Sequence, residues 1–130
     1  SGLDCPLDFI SMHDCGTMLG SGAVIVFDEE DCMVRVSART AAFFEHESCG
    51  KCTPCREGTG WLRAILYRIE EGLGNERDLA LLDEVSDNIE GKCFCALGDG
   101  AAMAAKQFLR LYRDEFEAHI NDGRCPMKRP

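Results

Sequence analysis

Glu47-Ser48-Cys49-Gly50-Lys51-Cys52-Thr53-Pro54-Cys55-Arg56-Glu57-Gly58 decides how the chain is read. Its three cysteines are spaced three residues apart, with a proline just ahead of the third. On an ideal helix, three-residue steps at roughly 100° per residue leave the first and third cysteine about 120° apart around the axis. One straight helix face therefore cannot present all three sulfurs together. Gly50 and Pro54 instead predict a loop that curls into a helix start, where Thr53 caps, Pro54 takes the first helical position and Cys55 lies in the first turn. The helix dipole favours thiolate over thiol there. A fourth thiol is offered by Cys95, within Phe94-Cys95-Ala96-Leu97-Gly98-Asp99, just before a helix start expected at Asp99. Cys-x-x-Cys-x-x-Cys with one distant cysteine is a ligand pattern for an iron–sulfur cluster. Cys49, Cys52, Cys55 and Cys95 are the expected metal and cofactor ligands, and no catalytic residue is expected.

Zinc is the competing metal. Four cysteines suffice for a structural zinc, but such sites usually draw their ligands from two Cys-x-x-Cys knuckles. Cys93, two residues from Cys95, is a competing ligand, and His46 a possible substitute for one of the thiols. Four thiolates around a doubly positive oxidised core leave a doubly negative unit, for which Lys51, Arg56 and Lys92 are the nearest cations in sequence. Arg56, directly after a proposed ligand, is the one expected to support the site. His13 and His119 are isolated in sequence and read as ordinary residues.

Nine cysteines is a high and odd count. A secreted disulfide scaffold usually shows an even number, so thiols held by metal in a reducing compartment are the better reading. Cys5, Cys15, Cys32, Cys93 and Cys125 are expected to be small buried hydrophobes. The net charge of −9 argues against nucleic-acid binding, which needs clustered Lys and Arg. No apolar run is long enough to span a membrane, and no secretion leader is visible. The chain opens on Ser1, so it reads as trimmed or as a piece of something longer.

Working outward, Ala23-Val24-Ile25-Val26-Phe27 and Cys32-Met33-Val34-Arg35-Val36 are short apolar runs separated by Asp28-Glu29-Glu30-Asp31. They predict a β-hairpin with an acidic loop. Leu19-Gly20-Ser21-Gly22 reads as a plain turn ahead of it. Ser37 is the expected cap of a helix through Phe43 and Phe44. After the cysteine loop, Trp61, Leu62, Ile65, Leu66, Ile69 and Leu73 form one apolar stripe, ended by Gly72 and Gly74. Asn75, with Asp78 three residues on, opens another helix carrying Leu79, Leu82, Val85 and Ile89, stopped by Gly91. A last helix is expected from Asp99 to His119, with Ala101, Ala105, Phe108, Leu109, Tyr112 and Phe116 inward. The tail from Asn121 reads as polar and loose. The fold class is mainly α: a small helical bundle carrying the 4Fe-4S cluster, preceded by the short β-hairpin.

The motif at 47–58 resembles the cluster signature of the NADH-binding flavoprotein subunits of respiratory complex I. The flavoprotein subunits of NAD-linked hydrogenases and formate dehydrogenases carry similar versions. Cys95-Ala96-Leu97-Gly98-Asp99-Gly100-Ala101-Ala102 is similar to the second signature, which holds the fourth cysteine. Met18-Leu19-Gly20-Ser21-Gly22-Ala23-Val24-Ile25-Val26 is similar to the segment upstream of the cluster loop. The resemblance implies electron transfer through a 4Fe-4S cluster fed by FMN that has taken a hydride from NADH, in an NADH dehydrogenase (quinone). Cys49, Cys52, Cys55 and Cys95 match the ligand positions. The FMN- and NADH-binding region is missing from these residues, so this stretch alone is not expected to catalyse NADH oxidation. Residues 1–37 read as the end of an upstream flavin or ubiquitin-like region whose hairpin is left over from a larger α/β domain, 38–120 as the helical cluster domain and 121–130 as a flexible tail. The implied partners are other complex I subunits, including a thioredoxin-like 2Fe-2S subunit and the large iron–sulfur subunit. The implied place is cytoplasmic, peripheral on the inner face of the membrane, without insertion into it.

Overall fold

Val34, Ala38 and Ala41 recur at helical spacing and are all buried, and the segment that carries them is helical from well before Ser37. The computed structural model describes residues 4–127. It holds α1 (Phe9–Asp14), α2 (Met33–Glu47), α3 (Thr53–Glu70), α4 (Glu76–Ile89), α5 (Ala96–Leu111) and α6 (Arg113–Asp122). No strand occurs among the described residues, so the expected hairpin is a misreading. A short β-branched run does not distinguish strand from helix. Residues 33–36 go helical, with Cys32 as their cap, because their apolar face continues through Ala38 and Ala41 into the core. Residues 23–27 are irregular, and Val24, Ile25 and Val26 stay exposed. The short α1 has no counterpart in the sequence reading. Its start is fixed by Asp8, whose carboxylate accepts from the backbone N–H of Ile10 and Ser11.

The amphipathic helices α2 to α5 enclose one core, in which α2 on α3 is the broadest contact. Leu62, Ile65, Leu66 and Ile69 of α3 meet Val34 and Ala38 of α2, Leu79, Leu82, Val85 and Ile89 of α4, and Ala102, Ala105 and Leu109 of α5 within one apolar cluster. Each fully buried Leu or Ile there contributes about 1.5–3 kcal/mol. Trp61 and Leu73, expected on the α3 stripe, are exposed; Trp61 borders an open groove with Leu81 and Val85 of α4. The predicted capping box is present: Asn75 accepts from the N–H of Arg77 while Asp78 accepts from the N–H of Asn75. Asp78 is also held by Arg68 of α3, which ties the cap of one helix to the flank of another.

The expected helix from Asp99 to His119 is two. Its start is earlier, at Ala96, and it breaks at Tyr112, whose φ of −122° and ψ of 30° lie outside the helical region. The turn brings Phe116 and His119 of α6 into the interior, while Tyr112 itself stays exposed. The chain is helical to Asp122 and Cys125 is buried, while residues 128–130 of the expected tail lie outside the described residues. Gly123 ends α6 in the left-handed region with φ 60°. It lies so close to Gly72 that a Cβ on Gly72 would sit 2.2 Å from the Gly123 carbonyl.

Candidate metal centre

The cysteine loop joins α2 to α3, and the α4–α5 connection closes over it. Together they wall a cavity of about 140 Å³ lined by Cys49, Cys52, Cys55, Cys93 and Cys95, with Glu47, Ser48, Lys51 and Leu97 completing the wall. All four expected ligands are thus brought together, although Cys95 is distant from the other three in sequence. Cys55 is buried, Cys52 half-buried, and Cys49 and Cys95 are exposed.

Two helices begin at this cavity, and both are capped by cysteines. Cys52 caps α3 and Cys95 caps α5, neither with a side-chain capping hydrogen bond. Thr53, the expected cap, is instead the first residue of α3. The shift leaves the sulfurs free for another role and sets two positive helix ends at a cluster of thiols. Phe94 donates its backbone N–H to the Cys52 sulfur at 3.2 Å. Ser48 Oγ lies 3.2 Å from the Cys55 sulfur. The first arises when the two loops meet; the second is made within the cysteine loop and the first turn of α3.

Gly50 turns the loop with φ 76°, a conformation costing a side-chain-bearing residue about 1–2 kcal/mol. Arg56, expected to support the site, donates from Nη1 to the Gly50 carbonyl at 3.0 Å and from Nε to Glu57 at 2.8 Å. It braces the loop rather than lining the cavity. Lys51 lines the wall, with Nζ 4.6 Å from the centre of the Phe94 ring. Lys92 is engaged with Asp87 and Asn88. His46 falls in the last turn of α2 and does not line the cavity.

Cys93 is the fifth thiol of the wall. Burial pushes its pKa up, and nearby Cys55 and Cys52 add to that. Its sulfur lies 3.6 Å from the Ile89 carbonyl, and a Cβ on Gly98 would come within 2.5 Å of that sulfur. Among the other cysteines, Cys32 and Cys125 are buried as expected, whereas Cys5 is half-buried and Cys15 exposed. The hydrogen bond with Cys15 pushes the Cys5 thiol up to about 11. Soft sulfur donors gathered from two loops, two helix N-termini and a backbone N–H on one sulfur suit a 4Fe-4S cluster.

Residues 35–119 match the family model described as the NADH-ubiquinone oxidoreductase-F iron-sulfur binding region. The chain belongs to that family. Relatives of this iron–sulfur binding region include the F subunit of the NADH-quinone oxidoreductase of Mycobacterium bovis, 51% identical over 124 residues, covering 95% of this chain and 28% of the relative. The corresponding protein of Streptomyces coelicolor is 52% identical over 124 residues with the same coverage. The mitochondrial NADH-ubiquinone oxidoreductase 51 kDa subunit of Neurospora crassa is 42% identical over 114 residues, 88% of this chain and 23% of the relative. The chain therefore spans between a fifth and a third of the length of these relatives. No helix among the described residues is long and apolar enough to cross a membrane.

Proposed function

We propose that Cys49, Cys52, Cys55 and Cys95 hold a 4Fe-4S cluster that receives electrons from NADH-reduced FMN within the flavoprotein subunit of an NADH:quinone oxidoreductase. The observation that carries this reading is the convergence of those four sulfurs on one cavity from both ends of the α3–α4 pair. Bound there, the cluster supplies a centre that accepts and releases one electron at a time.

The chain's own residues do the positioning. Gly50 and the Arg56 brace set the loop that turns Cys49 and Cys52 toward Cys55. The Phe94 N–H and the starts of α3 and α5 stabilise negative charge on sulfur, and the Lys51 ammonium adds a positive charge at the wall. Cys93 is a wall residue in this reading, not a ligand. The helical cluster-binding unit begins with α2 at Met33, earlier than the boundary at residue 37, and the residues before it belong with an upstream flavin-binding region. Exposed Val24, Ile25 and Val26 support that division. In the whole assembly these residues would hold the cluster where it would hand electrons on to other iron–sulfur subunits, proposed to include a thioredoxin-like 2Fe-2S subunit and the large iron–sulfur subunit at the inner face of the membrane.

The test is anaerobic isolation or reconstitution followed by metal, sulfide and Mössbauer analysis, then redox titration. The expected result is about four iron and four sulfide per chain with a reversible one-electron step, lost in Cys95→Ser. Protein that takes up neither iron nor sulfide, or that holds only zinc on these cysteines, overturns it.

A further inference from the structure

Cys32, His119 and Cys125 form a second group of metal-ligating side chains, away from the cavity described above. Cys32 caps α2, His119 is in the last turn of α6, and Cys125 follows the turn at Gly123. The two sulfurs and a ring nitrogen all lie within 4.8 Å of one another, and all three residues are buried, with exposures of 3%, 1% and 2%. We infer that these three side chains form a structural zinc site that fastens the end of α6 and the chain beyond it to the start of α2.

The geometry is that of donors around a common centre. Zinc–sulfur and zinc–nitrogen bonds of about 2.3 and 2.0–2.1 Å in tetrahedral arrangement hold neighbouring donor atoms about 3.5–3.8 Å apart. Cys32 Sγ and His119 Nε2 are 3.3 Å apart, within a few tenths of an ångström of that spacing, and the Cys125 sulfur lies within 4.8 Å of both. The imidazole is already oriented. His119 Nδ1 lies 2.7 Å from the Glu115 carbonyl oxygen, and because a carbonyl only accepts, Nδ1 carries the proton. Nε2 is left with its lone pair facing Cys32. A ring nitrogen held by a backbone carbonyl while the other faces the metal is the usual support for a histidine ligand.

The charges agree. Arg35 Nη2 approaches the Cys125 sulfur at 3.8 Å while its Nε donates to Glu70 at 3.2 Å, placing a guanidinium where a thiolate would need one. Two thiolates, one neutral imidazole and a divalent cation sum to zero, which suits a dry interior. Soft sulfur with imidazole selects zinc over magnesium or calcium. The Cys32–His119 contact, with the Arg35 N–H donated to the Cys32 sulfur at 3.4 Å, accounts for Cys32 and His119. It leaves unexplained why Cys125 is folded back onto the same point with a guanidinium at its sulfur. Glu115 strengthens the same junction by accepting from the backbone N–H of Met33 at 3.0 Å.

The inference is independent of the cluster reading, and one experiment separates them. The full chain, isolated anaerobically with its iron loaded and zinc supplied, is analysed for zinc, iron and sulfide, and zinc K-edge absorption reports the neighbours of the zinc. The expected result is one zinc per chain with two sulfur neighbours and the rest nitrogen or oxygen. Cys125→Ser and His119→Gln lose it with iron unchanged; Cys95→Ser loses iron and keeps the zinc. His119→Cys, which restores a ligand, regains zinc with three sulfur neighbours, so loss in His119→Gln is not mere unfolding. A wild-type chain of native helicity that binds no zinc overturns the inference. So does zinc that survives Cys125→Ser and follows Cys95→Ser, or a Cys32–Cys125 disulfide in the anaerobic protein.

Discussion

The backbone N–H of Phe94 reaches across 42 positions to the sulfur of Cys52, at 3.2 Å. It links the α4–α5 connection to the cap of α3. A hydrogen bond to a ligating sulfur stabilises the reduced, more negative state and raises the reduction potential. Phe94→Pro removes the donor and is expected to lower the potential by tens of millivolts, on the order of other outer-shell changes. Potentiometric titration followed by EPR checks it, and an unmoved potential at full iron content refutes it.

Gly98 tests the role of Cys93. A Cβ at Gly98 would sit 2.5 Å from the Cys93 sulfur and 3.2 Å from Ile89 Cγ2, so Gly98→Ala is expected to cost about 1–3 kcal/mol. Cys93→Ala removes the nearer obstacle and should recover part of that loss in the double variant. Iron content should stay full in Cys93→Ala alone. Denaturation midpoints and iron assays measure both outcomes; a Cys93→Ala protein that loses its iron makes Cys93 a ligand.

Gly50→Ala isolates backbone strain. Its new Cβ would meet only Arg56 Cδ, at 3.6 Å, an ordinary contact, so the cost is that of φ 76°, about 1–2 kcal/mol. Chemical denaturation should show that loss. A neutral result means the loop relaxes to another turn.

Lys106 bridges α5 to α4 through Asp87 at 2.5 Å and Glu90 at 2.7 Å. These partners, Asp87 foremost, raise its pKa in the folded chain. A lysine whose folded pKa is raised contributes stability that is fully present below the unfolded value, about 10.4. That contribution is lost as the pH climbs through the folded one. Lys106→Met is therefore expected to narrow the stability difference from wild type as pH passes about 10, with an effect at neutral pH of about 0–1 kcal/mol that fades in salt. Thermal melts across alkaline pH provide the check.

Local rules make part of this protein legible. Three cysteines around Gly50 and Pro54 predict a loop into a helix. Asn75 with Asp78 predicts a capping box that is present. Even there the register slips by one residue, because Cys52 rather than Thr53 caps α3. Residues 32–36 read as a strand because a five-residue run with four apolar positions carries too little period; the burial of Ala38 and Ala41 decides it. The break at Tyr112 has no proline or glycine to announce it and follows from packing Phe116 inward. His119 reads as ordinary because its neighbour Cys32 is 87 positions away. Contacts of that range are written in tertiary structure and leave no spacing to read.

The order in which the sulfurs are made follows from the path of the backbone. Cys49, Cys52 and Cys55 leave the ribosome together, while Cys95 is carried into place only after α3 and α4 have been synthesised and have docked. For the proposed cluster, a nascent chain therefore presents three anchors first, and the fourth joins them only once the α3–α4 pair has brought Cys95 to the cavity.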